Sequence, residues 1–379
     1  MFANNLLYKS ALILIGKPLN VMNGNSIIPY FWVFFWALNT VNVTILFFIN
    51  LNGKDRHRHY GFFTEDFAYT IGEWCTNLGC IFFLIYEKRW RALFLSFENF
   101  QYFGKTSTFK RIMKFGNVIA IIFLIYMTVG SLAYIVFVLV DENNCEQIYG
   151  STRICGVINP TWWPFKNPPT LLVKRFLLVY QILSAIVTCN TFFVSLLIHQ
   201  ASNVIGDKAD HLGHKFKQLC LISNEDDQFE NFKLWVENHE NTIRLCKKLN
   251  YVYIRTVGHV TLIGAATIAM LGYQLIKEED YKYVVDISMS LLLVIVICRS
   301  GEIMTDKMTN IGVAVWLSNW TECNPKLKRW IPFILLRCQT KIEFDALPIG
   351  KANHALLLII VKTSYSYLTL LRKTMNKNV

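Results

Sequence analysis

Charge is scarce in this chain: Asp, Glu, Lys and Arg make up 17% of its 379 residues, against about 25% in an average soluble protein. The shortage is concentrated, because residues 27–48 and 118–140 contain no charged side chain and no histidine. Proline is also sparse, and its nine residues fall at the edges of apolar runs and in loops, so proline kinks within the runs are absent. Catalytic signatures are missing. There is no Gly-rich phosphate loop, no Cys-x-x-Cys, no His-Glu-x-x-His and no Gly-x-Ser-x-Gly. Together these absences exclude an ordinary cytosolic enzyme, a disulfide-stapled secreted domain and a disordered tail. Neither enzymatic activity nor a metal or cofactor is expected. The net charge of +12 is spread through the segments between apolar blocks, whereas a nucleic-acid binder gathers its charge on one face, so no nucleic-acid partner is expected.

What the chain has in quantity is apolar length. Hydrophobic residues make up 53% and aromatics 15%, and several runs exceed the roughly 18 residues that mark a helix crossing a bilayer. Seven spans are predicted, at 27–50, 63–86, 115–140, 171–199, 255–276, 283–298 and 351–371. The second contains Glu73, and the sixth is short unless it continues as a helix through 301–320. Most of the ten cysteines lie in or beside these runs, where a thiol behaves as a small hydrophobe. The first 25 residues lack an apolar core followed by a small-residue cleavage site, so the first span is expected to serve as the targeting signal.

Orientation follows from lysine and arginine, which accumulate on the cytoplasmic side. Residues 1–26 hold two basic residues and no acid, and 87–114 hold seven against two acids, while 51–66, 141–170 and 277–282 hold three, two and two. The N-terminus is therefore expected inside and, after seven crossings, the C-terminus outside. That parity argues against a G-protein-coupled receptor. So do Asp141-Glu142-Asn143 in place of Asp-Arg-Tyr, and the lack of an Asn-Pro-x-x-Tyr run. A transporter is disfavoured because neither internal repeats nor spans broken by Gly or Pro are evident. The sequons at Asn42 and Asn319 fall in a span and on the cytoplasmic side, where they should not be glycosylated.

The expected organisation is a cytoplasmic segment 1–26, spans one to four within 27–200, cytoplasmic helices 201–254, spans five and six within 255–298, cytoplasmic anchor helices 299–350, and a last span with a short extracellular tail at 351–379. Phe229, Phe232, Val236, His239, Ile243 and Cys246 repeat at steps of three and four, an apolar seam on a charged helix. Leu212, Phe216 and Leu219 suggest a shorter helix before it, and 223–227 reads as a loop or helix start. His239 reads as a packing residue, without Cys or His at helical spacing to share a metal. In the outer loop, Cys145 and Cys155 are close enough in sequence to pair on the oxidising side. Trp162, Trp163, Pro164, Pro168 and Pro169 suggest a stiff lid there.

Intramembrane ionisable residues are functional candidates by default. Glu73 faces either a cavity or a hydrogen-bonding neighbour. His259 reads as structural, and Lys174 and Arg175 can snorkel from the outer end of the fourth span. Lys362 lies mid-way along the last apolar run and should face protein or water, since a central lysine costs roughly 2.5–3.5 kcal/mol. With Thr363, Ser364, Ser366 and Thr369 it makes this the most polar-studded span, a composition suited to lining an aqueous path. One such helix cannot enclose a pore, so a channel requires several subunits.

The run 359–372, Ile-Ile-Val-Lys-Thr-Ser-Tyr-Ser-Tyr-Leu-Thr-Leu-Leu-Arg, resembles the C-terminal signature of insect odorant receptors. The helix bearing His239, Ile243, Cys246 and Leu249 is similar to that family's motif before the fifth span. The related gustatory receptors end in a Thr-Tyr-x-x-x-x-x-Gln-Phe pattern that is absent here. The resemblance implies an all-α membrane protein of seven transmembrane helices with inverted topology and a cytoplasmic anchor domain. It implies a tuning subunit that binds a small volatile odorant and forms a heterotetrameric, odorant-gated, non-selective cation channel with a co-receptor subunit. The site would be the plasma membrane, multi-pass among membrane lipid, in olfactory neuron dendrites. The resemblance places a ligand pocket at Phe67, Thr70, Ile71, Trp74, Ser131, Tyr134, Phe137, Leu177, Tyr180, Met289 and Leu292. Pore and gate would fall at Ser364, Leu368, Leu371 and Arg372, where an arginine departs from the co-receptor's apolar residue.

Overall fold

The computed structural model describes residues 6–15, 27–52, 60–98, 106, 108–140, 142, 145, 153–159, 161–163, 165, 167, 169–278, 282–346 and 350–375, with side chains left aside at 6, 52, 60–64, 153, 277–278, 282 and 371–375. Its helices are α1 (Leu6–Leu14), α2 (Ile28–Asn52), α3 (Tyr60–Phe97), α4 (Phe109–Val140), α5 (Leu171–Thr188), α6 (Asn190–Leu219), α7 (Glu225–Thr256), α8 (Val260–Glu278), α9 (Lys282–Trp316), α10 (Pro325–Lys328), α11 (Ile331–Gln339) and α12 (His354–Met375). Two short antiparallel ladders join them. In one, β1 (Arg153–Ile154) pairs Ile154 with Thr161 of β2 (Thr161–Trp162); in the other, β3 (Asp345–Ala346) pairs Ala346 with Gly350 of β4 (Gly350–Lys351). Neither ladder was foreseen, since two-residue strands carry no periodicity.

Helix length explains the architecture. A bilayer core is about 30 Å thick. At about 1.5 Å per residue, the 38 residues of α3 and the 35 of α9 run roughly 20 Å or more beyond it. Their polar ends carry Glu87 and Arg89 on α3 and Glu302, Asp306 and Lys307 on α9; α3 packs against α7, and α9 against α6 with its Asp207 and Asp210. Among the described residues, and with the α5–α6 run taken as one, five helices are long and apolar enough to cross a membrane, or six when α7 and α8, bent by 44° at their break, count as one span; the apolar part of α12, His354–Leu370, is shorter.

The helices correct several boundaries. The fourth span and the expected separate helix at 212–219 form a nearly unbroken run through α5 and α6, interrupted only at Cys189. The sixth span continues to Trp316, so the limits expected at 200 and 298 cut through helices. The fifth span starts at Val260 instead of residue 255. Residues 6–14, to which no element was assigned, form α1, which buries Leu7, Tyr8, Ala11 and Leu12. Asn190 donates from Nδ2 to Ala11 O at 2.6 Å, and Tyr8 donates to Glu87 Oε1 at 3.2 Å.

In the extended part, α7 begins at Asn224, whose side chain accepts from Asp226 N at 3.1 Å as an N-cap should. Its seam is the one expected, with Trp235 added. Phe216 and Trp235 meet edge to face at 5.0 Å, and His239 stacks on Trp235 at 5.3 Å. Burial pushes the His239 imidazole down to about 4, a shift that Glu240 opposes and Arg337 assists. Its Nε2 lies 3.7 Å from Cys338 Sγ.

Candidate functional site

Two polar clusters sit inside the apolar half of the bundle remote from α7, the outer half in the expected orientation. The first centres on Glu73 of α3. Its carboxylate accepts from Thr40 Oγ1 at 3.2 Å and Asn39 Nδ2 at 3.5 Å on α2, from Asn77 Nδ2 at 3.4 Å on its own helix, and from Asn159 Nδ2 at 2.7 Å in the outer loop. Asn159 is held in turn by Gln181 of α5, whose Oε1 accepts from its backbone N at 2.9 Å while Nε2 donates to Thr161 Oγ1 at 2.7 Å. Of the two expectations for Glu73, the geometry gives the hydrogen-bonding one. The loop is further fastened by a Cys145–Cys155 disulfide and by Trp162, whose backbone N donates to Asn42 Oδ1 at 3.0 Å. Lys174 and Arg175 each reach Glu142 at 3.1 Å. Pro164 and Pro168 lie outside the described residues.

The second cluster joins α3, α4 and α9. The hydroxyls of Tyr69 and Tyr134 are 2.6 Å apart, and Tyr69 donates to Asp286 Oδ2 at 3.1 Å. Tyr134 donates to Ile158 O at 3.4 Å, and about two turns back along α4 the Tyr126 and Ser288 hydroxyls meet at 2.5 Å. Around Tyr69 pack Ala68, Leu271 and Tyr283. Sequence reasoning chose Tyr134 but missed Tyr69 and Asp286. Asp286 carried a usable signal, as a lone acid in the sixth apolar run.

The other expected pocket residues scatter. Met289 is buried, near the α4 backbone: a Cβ at Gly130 would lie 3.8 Å from Met289 Cε. Thr70 is buried and bonds back to Asp66 O at 2.7 Å. Phe67 packs on Phe47 at 5.4 Å, Trp74 donates to Thr44 Oγ1 at 3.0 Å, and Tyr180 stacks on Trp36 and donates to Phe35 O at 2.6 Å, so these three turn toward α2. Ile71 and Leu177 are half-buried; Ser131, Phe137 and Leu292 face outward from this chain.

On α12 the register separates two faces. Ser364 is buried and donates to Ala265 O of α8 at 3.3 Å, and Leu368 lies against Gly272 of α8, where a Cβ would come within 2.9 Å of its Cδ1. Of these two expected pore residues, Ser364 is thus covered within the chain and Leu368 half-covered. Lys362, Thr363 and Ser366 lie on the uncovered face, and the side chains of Leu371 and Arg372 lie outside the described residues. Among the described residues, no group of three His, Cys, Asp or Glu side chains could hold a metal ion.

The model of a family described as the 7tm odorant receptor family matches residues 63–365. The chain belongs to this family. It is therefore a multi-pass membrane protein of a sensory receptor family, not of an enzyme family. Among curated proteins it is similar to odorant receptor 82a of Drosophila melanogaster, 28% identical over 155 residues that cover 40% of each chain. It is also similar to odorant receptor 13a of the same fly, 26% identical over 165 residues, 39% of this chain and 40% of that one. The matched stretches span about two fifths of the length of these relatives. The fold matches the olfactory receptor OR5 of Machilis hrabei in complex with eugenol with a TM-score of 0.77 at 11% identity, covering 98% of this chain and 99% of that one. A second structure of that receptor matches with a TM-score of 0.75, covering 96% and 97%.

Proposed function

We propose that this odorant receptor is a tuning subunit that binds a small volatile ligand in its outer half and, with a co-receptor, forms an odorant-gated, non-selective cation channel.

 The chain would thread the plasma membrane of olfactory neuron dendrites seven times, N-terminus inside and C-terminus outside, with α2, α3, α4, the α5–α6 run, α8, α9 and α12 as spans. The observation that carries the channel reading is the uncovered face of α12. Lys362, Thr363 and Ser366 stand there in an otherwise apolar helix, and a lysine near mid-membrane needs water or protein beside it. A single helix cannot enclose that water, so the face requires other subunits around an axis. We shift the pore-lining assignment accordingly, from Ser364 and Leu368 to the face of Lys362. A groove of about 440 Å³ between α7 and α11, lined by Phe232, Trp235, Trp330 and Phe333, supports assembly through the cytoplasmic helices, as does the 65% exposure of Phe333. Odorant binding drives gating only through a difference in affinity between closed and open states, and the Tyr69–Tyr134–Asp286 cluster, which joins three helices, is suited to sense such a difference.

The test is co-expression with a co-receptor in a cell that has neither protein, with a C-terminal tag labelled on intact cells. Odorant-evoked cation current should need both subunits, and the tag should be reached without permeabilisation. A robust current from this chain alone would remove the obligate partner, and a tag reached only after detergent would remove the topology.

A further inference from the structure

Between α4, α6 and α9, at the end nearest the helical extensions, lies an open cleft of about 380 Å³. Its walls change character along its length. Arg111 of α4, Asp210 of α6 and Lys307 of α9 line one end, and Phe115 and Ile119 of α4 with Leu196 of α6 line the other. At about 1.5 Å per residue, Arg111 and Ile119 are roughly 12 Å apart along the helix, most of the hydrocarbon depth of one leaflet at about 15 Å. The three helices agree in this order, since each passes from apolar to polar in the same direction.

The acids of the cleft have partners within the chain. Asp207 accepts the hydroxyls of Thr106 and Thr108, and Asp210 pairs with Lys307 at 2.6 Å. Arg111 is exposed at the mouth of the cleft, and among the described residues its guanidinium makes no hydrogen bond or ion pair. Lys110 and Lys114, exposed on the same turn, add positive potential that draws anionic headgroups. Gly206 keeps the floor open beneath Lys307, whose Cγ would be 3.0 Å from a Cβ there.

We propose that this cleft is a binding site for an anionic phospholipid, its phosphate on Arg111 and Lys307 and an acyl chain along Phe115 and Ile119. The lipid fills the wedge between α4 and α9 and braces α4, most of whose surface the rest of the chain leaves uncovered. The site is independent of the odorant and of conduction, so its test uses neither.

The full-length protein is placed in phosphatidylcholine nanodiscs containing a photoactivatable phosphatidylserine, and adducts are mapped by peptide mass spectrometry. Adducts should fall on residues 108–119 and 196–210. Arg111→Glu should lower them at least roughly fivefold, the electrostatic worth of one basic residue at a membrane surface, whereas Lys114→Glu, the same charge change outside the cleft, should lower them less. Inorganic phosphate should not displace the lipid. Absence of adducts there, equal losses in the two variants, or displacement by inorganic phosphate would each overturn the proposal. If Arg111→Glu does not run as a folded species on size exclusion, Ile119→Trp, which fills the apolar end, must give the same loss.

Discussion

The two halves of the molecule are held together by different forces. In the outer half, beside aromatic contacts with α2, buried polar groups tie helix to helix: Glu73 gathers α2, α3 and the outer loop, Gln181 holds Asn159 and Thr161, and Tyr69 joins α4 to α9. In the extended half the contacts are apolar and aromatic, with Phe216 on Trp235 at 5.0 Å, Tyr253 stacked on Phe344 at 4.7 Å, and Trp90 and Phe97 fully buried. The difference follows from the solvent. Lipid tails are as apolar as leucine, so burial drives no association within a bilayer and hydrogen bonds matter more there. In water, each Å² of apolar surface removed contributes about 25 cal/mol. The same chain thus uses whichever interaction its surroundings make scarce.

The largest test of this contrast is Glu73→Ala. It strips the acceptor from donors on three separate pieces of the outer half, at about 1–3 kcal/mol for each donor left buried and unpaired. Surface labelling should fall close to background, with Glu73→Gln recovering part of it because one oxygen can still accept from Asn159. Normal surface levels for Glu73→Ala would mean that apolar packing alone holds the outer half.

Much of the fold was legible in the sequence because hydropathy and helical spacing report on solvent. The apolar runs of α2 and α4 and the seam through Phe232, His239 and Cys246 are such cases. Hydropathy cannot separate a residue facing lipid from one facing another helix, since both must be apolar. Tyr134 therefore fell inside the cluster while Phe137, three residues on, faces outward. Asp286 was hidden by treating its run as uniformly apolar, and Asn159 by lying in a loop where no periodicity points anywhere. Ser364 looks like a pore residue by composition and Leu368 by the family resemblance, and only the packing shows Ser364 buried on Ala265 and Leu368 half-buried against Gly272 of α8.

The extended half has its own lever, which should be smaller than that of Glu73. His239 is held neutral by burial, with its imidazole down at about 4, against about 6.5 in an unfolded chain. Between those values the unfolded state binds the proton and the folded state does not. Stability is therefore complete above about pH 6.5 and falls as pH drops toward 4, by at most about 3 kcal/mol. Hydrogen-exchange protection at α7 and α11, taken relative to the intrinsic rate at each pH, should fall from pH 7 to pH 5 while that of the outer helices changes little, and His239→Gln should flatten that response. An unchanged slope in the variant would assign the acid sensitivity to other groups.

The smallest effect separates ligand response from assembly. Tyr134→Phe removes one hydroxyl from a cluster in which Tyr69 bridges Tyr134 and Asp286, while leaving the ring in its buried place on α4. A single hydrogen bond is worth about 0.5–1.5 kcal/mol, so odorant potency should shift by up to about tenfold with surface labelling unchanged. Asp286→Asn should act in the same direction. Because both changes are transmitted through Tyr69, the double variant should shift potency by less than the two single shifts combined. Fully additive shifts would show two separate contacts, and the cluster would then not act as one unit. If potency holds while surface protein falls, this cluster belongs with Glu73 among the fastenings of the outer half, and the ligand must be sought elsewhere among its helices.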